Sequence, residues 1–246
     1  MRLMGVSISK QMFGLDSYRL TKPDIIYHLG ALPRIQPSFI NPTNTFDSNV
    51  KGTQNIMEYA RKLNISVVYA GSSSSHGDKY ANPYTHSKWL GEEVVTMYNK
   101  IYDIPTAICR FYNVYGEYQL TEGAYCTVLG IFERLYYNNQ PLTITDDGEQ
   151  RRDFTYVGDI VDGLMKCAKS LYMSETIGET FELGRGKNHS VNELASAFGD
   201  YPIKYIDKRP GEMRNTLNTD TKARDVLGWN PRGDVIDYIK NNILKK

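Results

Sequence analysis

Ser66-Val67-Val68-Tyr69-Ala70, Gly71-Ser72-Ser73-Ser74-Ser75, Tyr84-Thr85-His86-Ser87-Lys88 and Arg110-Phe111-Tyr112-Asn113-Val114-Tyr115-Gly116 follow one another in the most informative stretch of this chain. The first run is short, apolar and β-branched, which predicts a buried strand over 66–70. Asn82-Pro83 is a helix-start signal, and the pattern behind it predicts a helix over 84–102. Residues 106–111 read as the next strand. Strand, helix and strand in this order predict a parallel sheet with helices on both faces. Tyr84 and Lys88 are four positions apart, so they share one face of that helix. An ammonium beside a tyrosine favours its phenolate, which gives a proton acceptor nearer neutral pH. A serine hydroxyl at the end of the preceding strand can share the proton. Together these groups suit hydride chemistry at a sugar carbinol.

Outward from this stretch, residues 23–30 form an apolar run bounded by Pro23 and Gly30, again a buried strand. Residues 47–63 read as a helix with Val50, Ile56, Met57 and Ala60 on its apolar side. Beyond the polar loop 117–124, helices are predicted over 125–138 and 156–170, and strands over 142–144 and 181–184, with residues 203–206 and 219–244 finishing a small C-terminal lobe. Ser190 with Glu193 three positions later predicts a capping box.

The chain has 246 residues, enough for a substantial core and one or two domains. Its 41% hydrophobic and 23% charged content is that of an ordinary globular protein. A net charge of +1 argues against a nucleic-acid partner. Cys109, Cys126 and Cys167 show neither metal-ligand spacing nor a disulfide framework. No signal peptide and no apolar run of membrane-spanning length is read, so the expectation is a cytoplasmic protein without a membrane partner. His28 reads as a packed residue and His76 as a loop residue. No metal site is expected.

The ordered set resembles the extended short-chain dehydrogenase/reductase family, in particular nucleotide-sugar epimerases similar to UDP-glucose 4-epimerase. It runs Asp24-Ile25-Ile26-Tyr27-His28-Leu29-Gly30-Ala31, Asn49-Val50-Lys51-Gly52-Thr53, the serine run, the Tyr84/Lys88 pair, Arg110 to Gly116, Arg152-Asp153-Phe154 and Arg209-Pro210-Gly211-Glu212. The resemblance spans about residues 7–246. It implies a Rossmann-like α/β fold with a small α/β substrate-binding lobe. The implied domains interleave: residues 1–116 and 153–184 for the cofactor, residues 117–152 and 185–246 for the substrate. It implies Ser72, Tyr84 and Lys88 as catalytic residues. NAD would lie against Leu29, Gly30, Ala31, Asn49, Tyr84, Lys88 and Tyr112. A nucleotide sugar would meet Ser73, Ser74, Asn113 and the phosphate-clamping Arg152 and Arg209. Arg34 either reaches the substrate from the loop after the strand or sits on the loop surface.

Two departures qualify these expectations. The family's Gly-x-x-Gly-x-x-Gly turn, which cradles the cofactor pyrophosphate, has no counterpart in the sequence; Met4-Gly5-Val6-Ser7-Ile8 matches the family's third strand. The reading is a chain truncated by about one βαβ unit, which binds NAD weakly by itself and self-associates as a homo-oligomer. Second, family dehydratases place Asp-Glu directly after the catalytic serine or threonine, and decarboxylases keep a glutamate there. Ser73-Ser74 stand in those places here, which favours epimerisation, with C4 oxidised and re-reduced. The alternatives are a non-catalytic nucleotide-sugar binding protein and a dehydratase or reductase. Ser72 and Tyr84 are separated by only twelve positions, fewer than in most family epimerases, so the sugar is not carried over.

Overall fold

The computed structural model describes residues 23–245. The stretch Met4 to Ile8 lies outside them. The first half alternates as the sequence predicts. Ile25–His28 (β1) leads through two short helices, Ile35–Ile40 (α1) and Pro42–Phe46 (α2), into Gly52–Leu63 (α3). Then come Ser66–Ser72 (β2), Pro83–Tyr102 (α4), Thr106–Phe111 (β3) and the short Asn113–Tyr115 (β4). The second half holds Val128–Tyr137 (α5), Leu142–Thr145 (β5), Arg151–Tyr156 (β6), Val157–Tyr172 (α6) and Glu179–Leu183 (β7). It ends with Asn188–Ser190 (β8), Val191–Ser196 (α7), Ile203–Ile206 (β9), Lys222–Leu227 (α8) and Val235–Tyr238 (α9).

The helix predicted over 47–63 begins earlier, at Pro42. Asn41 caps it by accepting the Asn44 N–H on Oδ1 at 3.0 Å, and Pro42 occupies the first turn, where no N–H is needed. The helical path then widens through one π-type turn, Asp47–Lys51, before α3. At Ser190 only half of the capping box forms. Its Oγ accepts the Glu193 N–H at 3.0 Å, while the Glu193 carboxylate is taken by Arg151 and His189.

Four strands form a parallel sheet in the order β1-β2-β3-β7. Its strands bury side chains on both faces. Val68, Ala107, Cys109 and Phe181 pack under α6 and α8, whereas Val67, Tyr69 and Ile108 pack under α3 and α4 with Met57, Val95 and Tyr98. The fold is thus Rossmann-like, a parallel sheet with helices on both sides. A third core, around Leu129, Phe132, Leu142, Ile144, Leu194 and Ile239, joins α5, α7 and the C-terminal helix to two small sheets, β4-β6-β8 and β5-β9. Residues 222–229, expected with that lobe, pack on the large sheet instead. Ala223 and Trp229 are buried in the α6 face, and the Trp229 indole N–H donates to Asp159 O at 2.8 Å. No helix among the described residues is long and apolar enough to cross a membrane.

Candidate active site

Carboxyl ends of strands in an open α/β sheet are where ligands bind. Ser72 closes β2 there, buried, and opens a tight turn, Ser73–His76, whose Ser74 N–H donates to its Oγ at 3.2 Å. The turn aims Ser72 Oγ at the Tyr84 phenol, 3.3 Å away, and brings Ser74 Oγ to 2.9 Å. Tyr84 stands in the first turn of α4. That turn is fixed twice: Asn82 caps it through the Thr85 N–H at 2.8 Å, and Ser38 of α1 accepts the Tyr84 N–H at 3.1 Å.

Lys88 is one turn further on, 4% exposed. The expected close pairing with Tyr84 takes a different form. The ammonium donates to Ala70 O at 2.6 Å and to Tyr69 Oη at 3.1 Å, and no hydrogen bond joins it to Tyr84. Burial pushes its pKa down, and the nearby Tyr84 and Glu92 charges oppose that shift. Gly91 makes this geometry possible, since a Cβ there would stand 2.2 Å from Tyr69 Oη.

Beneath the serine turn lies a charge network, built on two buried glutamates and absent from the sequence reading. Glu92 Oε1 accepts the Ser72 N–H at 3.2 Å and the Ser75 hydroxyl at 3.0 Å. Arg110 spans Glu92 and Glu182, at 2.7 and 3.1 Å, and His76 meets Glu182 at 2.9 Å. Burial works to raise the Glu182 pKa, but His76 and Arg110 outweigh it and hold the carboxyl below its usual range. The hydrogen bond to Glu182 in turn raises His76, against burial and the Arg110 charge. The signal for Glu92 was present: it follows Lys88 by four residues, on the buried face of the same helix.

The remaining expected residues are dispersed around this centre. Leu29 and Gly30 are exposed and Ala31 is half-buried, in the loop after β1. Asn49 is buried and braces that loop: it receives Leu32 N–H at 2.7 Å and donates to Leu32 O and Ser87 Oγ at 3.1 and 2.9 Å. Tyr112 lies against Gly184, and burial, with the Glu182 charge second, raises its pKa. Ser73 and Asn113 are half-buried and have no side-chain hydrogen bond among the described residues. Arg152 is half-buried, with one Nη bonded to Arg151 O at 2.9 Å; its neighbour Asp153 is a structural hub. Asp153 accepts the N–H groups of Arg185, Gly186 and Asn218 at 2.9, 2.8 and 3.1 Å. Arg209 is exposed. Its loop folds back onto α1 through Gln36 Nε2, which donates to Pro210 O at 2.8 Å, and through Gly211 against Phe39. His28 is packed, 3.0 Å from Thr53 Oγ1; burial and then the Lys88 charge lower its pKa to about 4. No cluster of metal-ligating side chains occurs among the described residues.

Comparison with known proteins bears on this geometry. The model of the NAD dependent epimerase/dehydratase family matches residues 15–184. A putative UDP-glucose 4-epimerase of Methanocaldococcus jannaschii is 34% identical over 246 residues, covering 89% of this chain and 78% of that protein. UDP-glucuronic acid decarboxylase 6 of Arabidopsis thaliana is 28% identical, covering 92% and 72%. Among solved structures, the Bacillus cereus UDP-glucuronic acid 4-epimerase in complex with UDP-glucuronic acid and NAD superposes with a TM-score of 0.80. It is 25% identical, and the match covers 88% of this chain and 73% of that one.

Proposed function

The chain belongs to the NAD-dependent epimerase/dehydratase family, and from that premise we propose that it inverts C4 of a nucleotide sugar through a 4-keto intermediate. One observation carries the reading: Ser72 and Tyr84 meet at 3.3 Å beside a buried lysine, in a serine turn that offers the substrate no free carboxylate. Dehydration needs an acid and a base besides the tyrosine. Ser73 and Ser74 supply neither, and Glu92, the nearest buried carboxylate, is bonded to Arg110, Ser72 and Ser75 beneath the turn.

The donor set fits a nicotinamide ribose. An ammonium has three N–H donors. Two of those on Lys88 are engaged by Ala70 and Tyr69, which leaves one for a ribose hydroxyl. Asn49 acts by holding Leu32 of the loop that carries Leu29, Gly30 and Ala31, and Tyr112 lies by the nicotinamide. Bound NAD supplies reversible hydride uptake. Tyr84 accepts the C4 hydroxyl proton as the carbon becomes a ketone and returns it on reduction. Ser72 orients that hydroxyl. Ser73, Ser74 and Asn113 line the sugar, and Arg152 and Arg209 bind the pyrophosphate as guanidinium forks do. We assign residues 117–152 and most of 185–246 to the sugar-binding lobe, and the large sheet with residues 222–229 to the cofactor side.

Proton NMR of UDP-sugar incubated with the protein and NAD tests this. The expected product is the C4 epimer with its carbon skeleton intact. A 4-keto-6-deoxy sugar or a pentose as sole product overturns it.

A further inference from the structure

Arg34 is the one guanidinium at the rim of this site whose chemistry the reading above leaves unused. It follows Leu32, whose N–H and C=O are both held by Asn49, and it precedes α1, whose Ser38 holds the Tyr84 N–H. These ties hold the loop of Arg34 between Asn49 and α1, close enough to Tyr84 for the two side chains to interact electrostatically. Its backbone sits at φ 90°, ψ 135°, a conformation that side-chain-bearing residues rarely adopt. Such strain gathers at ligand-binding positions. The side chain is half-buried, and its Nε–H donates to Tyr125 O at 3.0 Å from the loop before α5. Both terminal NH2 groups are without a protein acceptor among the described residues. Burial works against the charge, while Tyr84, then Cys126 and Glu212, favour it. No ion pair joins Arg34 to Glu212.

A half-buried guanidinium with its outer fork unpaired suits a bidentate anion. On a nucleotide sugar there are two sources, the pyrophosphate on C1 and a carboxylate at C6. Position decides between them. Tyr84 works at C4, and C1 lies across the pyranose ring from C4. C6 is borne by C5, directly beside C4. A fork near Tyr84 is therefore best placed for the C6 substituent, and the phosphate end belongs to Arg152 and Arg209. Resting on the C4 reading above, we propose that Arg34 binds a C6 carboxylate, so that the preferred substrate is a nucleotide-linked uronic acid.

Calorimetric titration of UDP-glucuronate, UDP-glucose and UDP into the wild type, Arg34→Gln and Arg34→Lys tests this without turnover. The wild type binds UDP-glucuronate ~10–100-fold more tightly than UDP-glucose, the scale of a charged hydrogen-bond pair. Arg34→Gln removes that difference and leaves UDP-glucose within about threefold, within the scatter of one neutral contact. Arg34→Lys keeps part of it, because the charge survives and the fork does not. Wild-type affinities equal for the two sugars overturn the proposal even if both variants misfold. A preference that survives Arg34→Gln overturns it too, as does an equal loss for UDP alone, which would assign Arg34 to the phosphates. If the wild type binds neither sugar nor UDP, the epimerase reading falls and this inference with it.

Discussion

Arg110 places two donors, Nε and Nη2, on the single oxygen Oε2 of Glu92, at 3.0 and 2.7 Å, so that Oε1 remains for the Ser72 N–H. Ser72 thus hangs from an ion pair, and Gly71 leaves the room for it, since a Cβ there would stand 2.7 Å from Glu92 Oε1.

Removing one partner of such a pair strands a charge. Glu92→Leu is expected to cost about 3–5 kcal/mol of stability, the range for a broken buried pair. Glu92→Gln costs less but still lowers turnover by misplacing Ser72. Urea denaturation and initial rates, read side by side, check both. Unchanged turnover in a folded Glu92→Gln protein would show that Ser72 is positioned by its own turn alone.

Tyr84→Phe keeps the ring and removes the hydroxyl proposed as the proton acceptor. Turnover is expected to fall ~10²–10⁴-fold, the usual share of acid–base catalysis, with UDP-sugar affinity little changed. Ser72→Ala falls less, because the phenol remains. Single-turnover kinetics with saturating NAD separate binding from chemistry.

Arg152→Ala and Arg209→Ala are each expected to weaken UDP-sugar binding by ~1–3 kcal/mol, the value of a charged hydrogen bond. The two differ in kind. Arg152 is half-buried and pinned by a backbone carbonyl, whereas Arg209 is exposed on the loop over α1. Arg209 accordingly loses more of its contribution as salt is raised. Titrations at two ionic strengths measure the difference, and unchanged affinity in both variants would refute the clamp.

His28 gives stability a pH dependence of known sign. Its pKa falls from 6.5 unfolded to about 4 folded, through burial and the Lys88 charge. Below pH 6.5 the unfolded chain therefore binds a proton that the folded protein refuses. The contribution of neutral His28 is whole above pH 6.5 and is lost as pH falls toward 4, a change of about 3 kcal/mol. His28→Gln should flatten the stability curve across that window. A curve of unchanged slope would show that other groups govern it.

Much of this architecture was legible because its signals are local. The apolar runs at 25–28, 66–70 and 106–111 are largely buried parallel strands, and Tyr84, Lys88 and Ser72 lie within one strand–turn–helix unit. What the sequence concealed is non-local. Lys88 turns to Tyr69 and Ala70 because α4 sits close on β2 at Gly91, a matter of packing distance. His76 and Arg110 find Glu182 from 72 or more residues away once β7 lies beside β3. Asp153, within an arginine motif that suggested phosphate, is spent on backbone N–H groups of later segments. Arg34 read equally as loop surface because its approach to Tyr84 depends on α1 docking on α4 through Ser38.

The strand order carries a consequence for biosynthesis. β3 is complete when Phe111 has been made, yet its outer neighbour β7 ends only at Leu183, about 70 residues later. At ~5–20 residues per second, a nascent chain waits roughly 4–14 s with that edge open. During the interval Ala107, Ile108 and Cys109 present an apolar, unpaired ladder. Arg110 also lacks its second carboxylate, since Glu182 has not emerged. The newborn chain thus carries an open sheet edge while the carboxylate network beneath Ser72 is still unfinished.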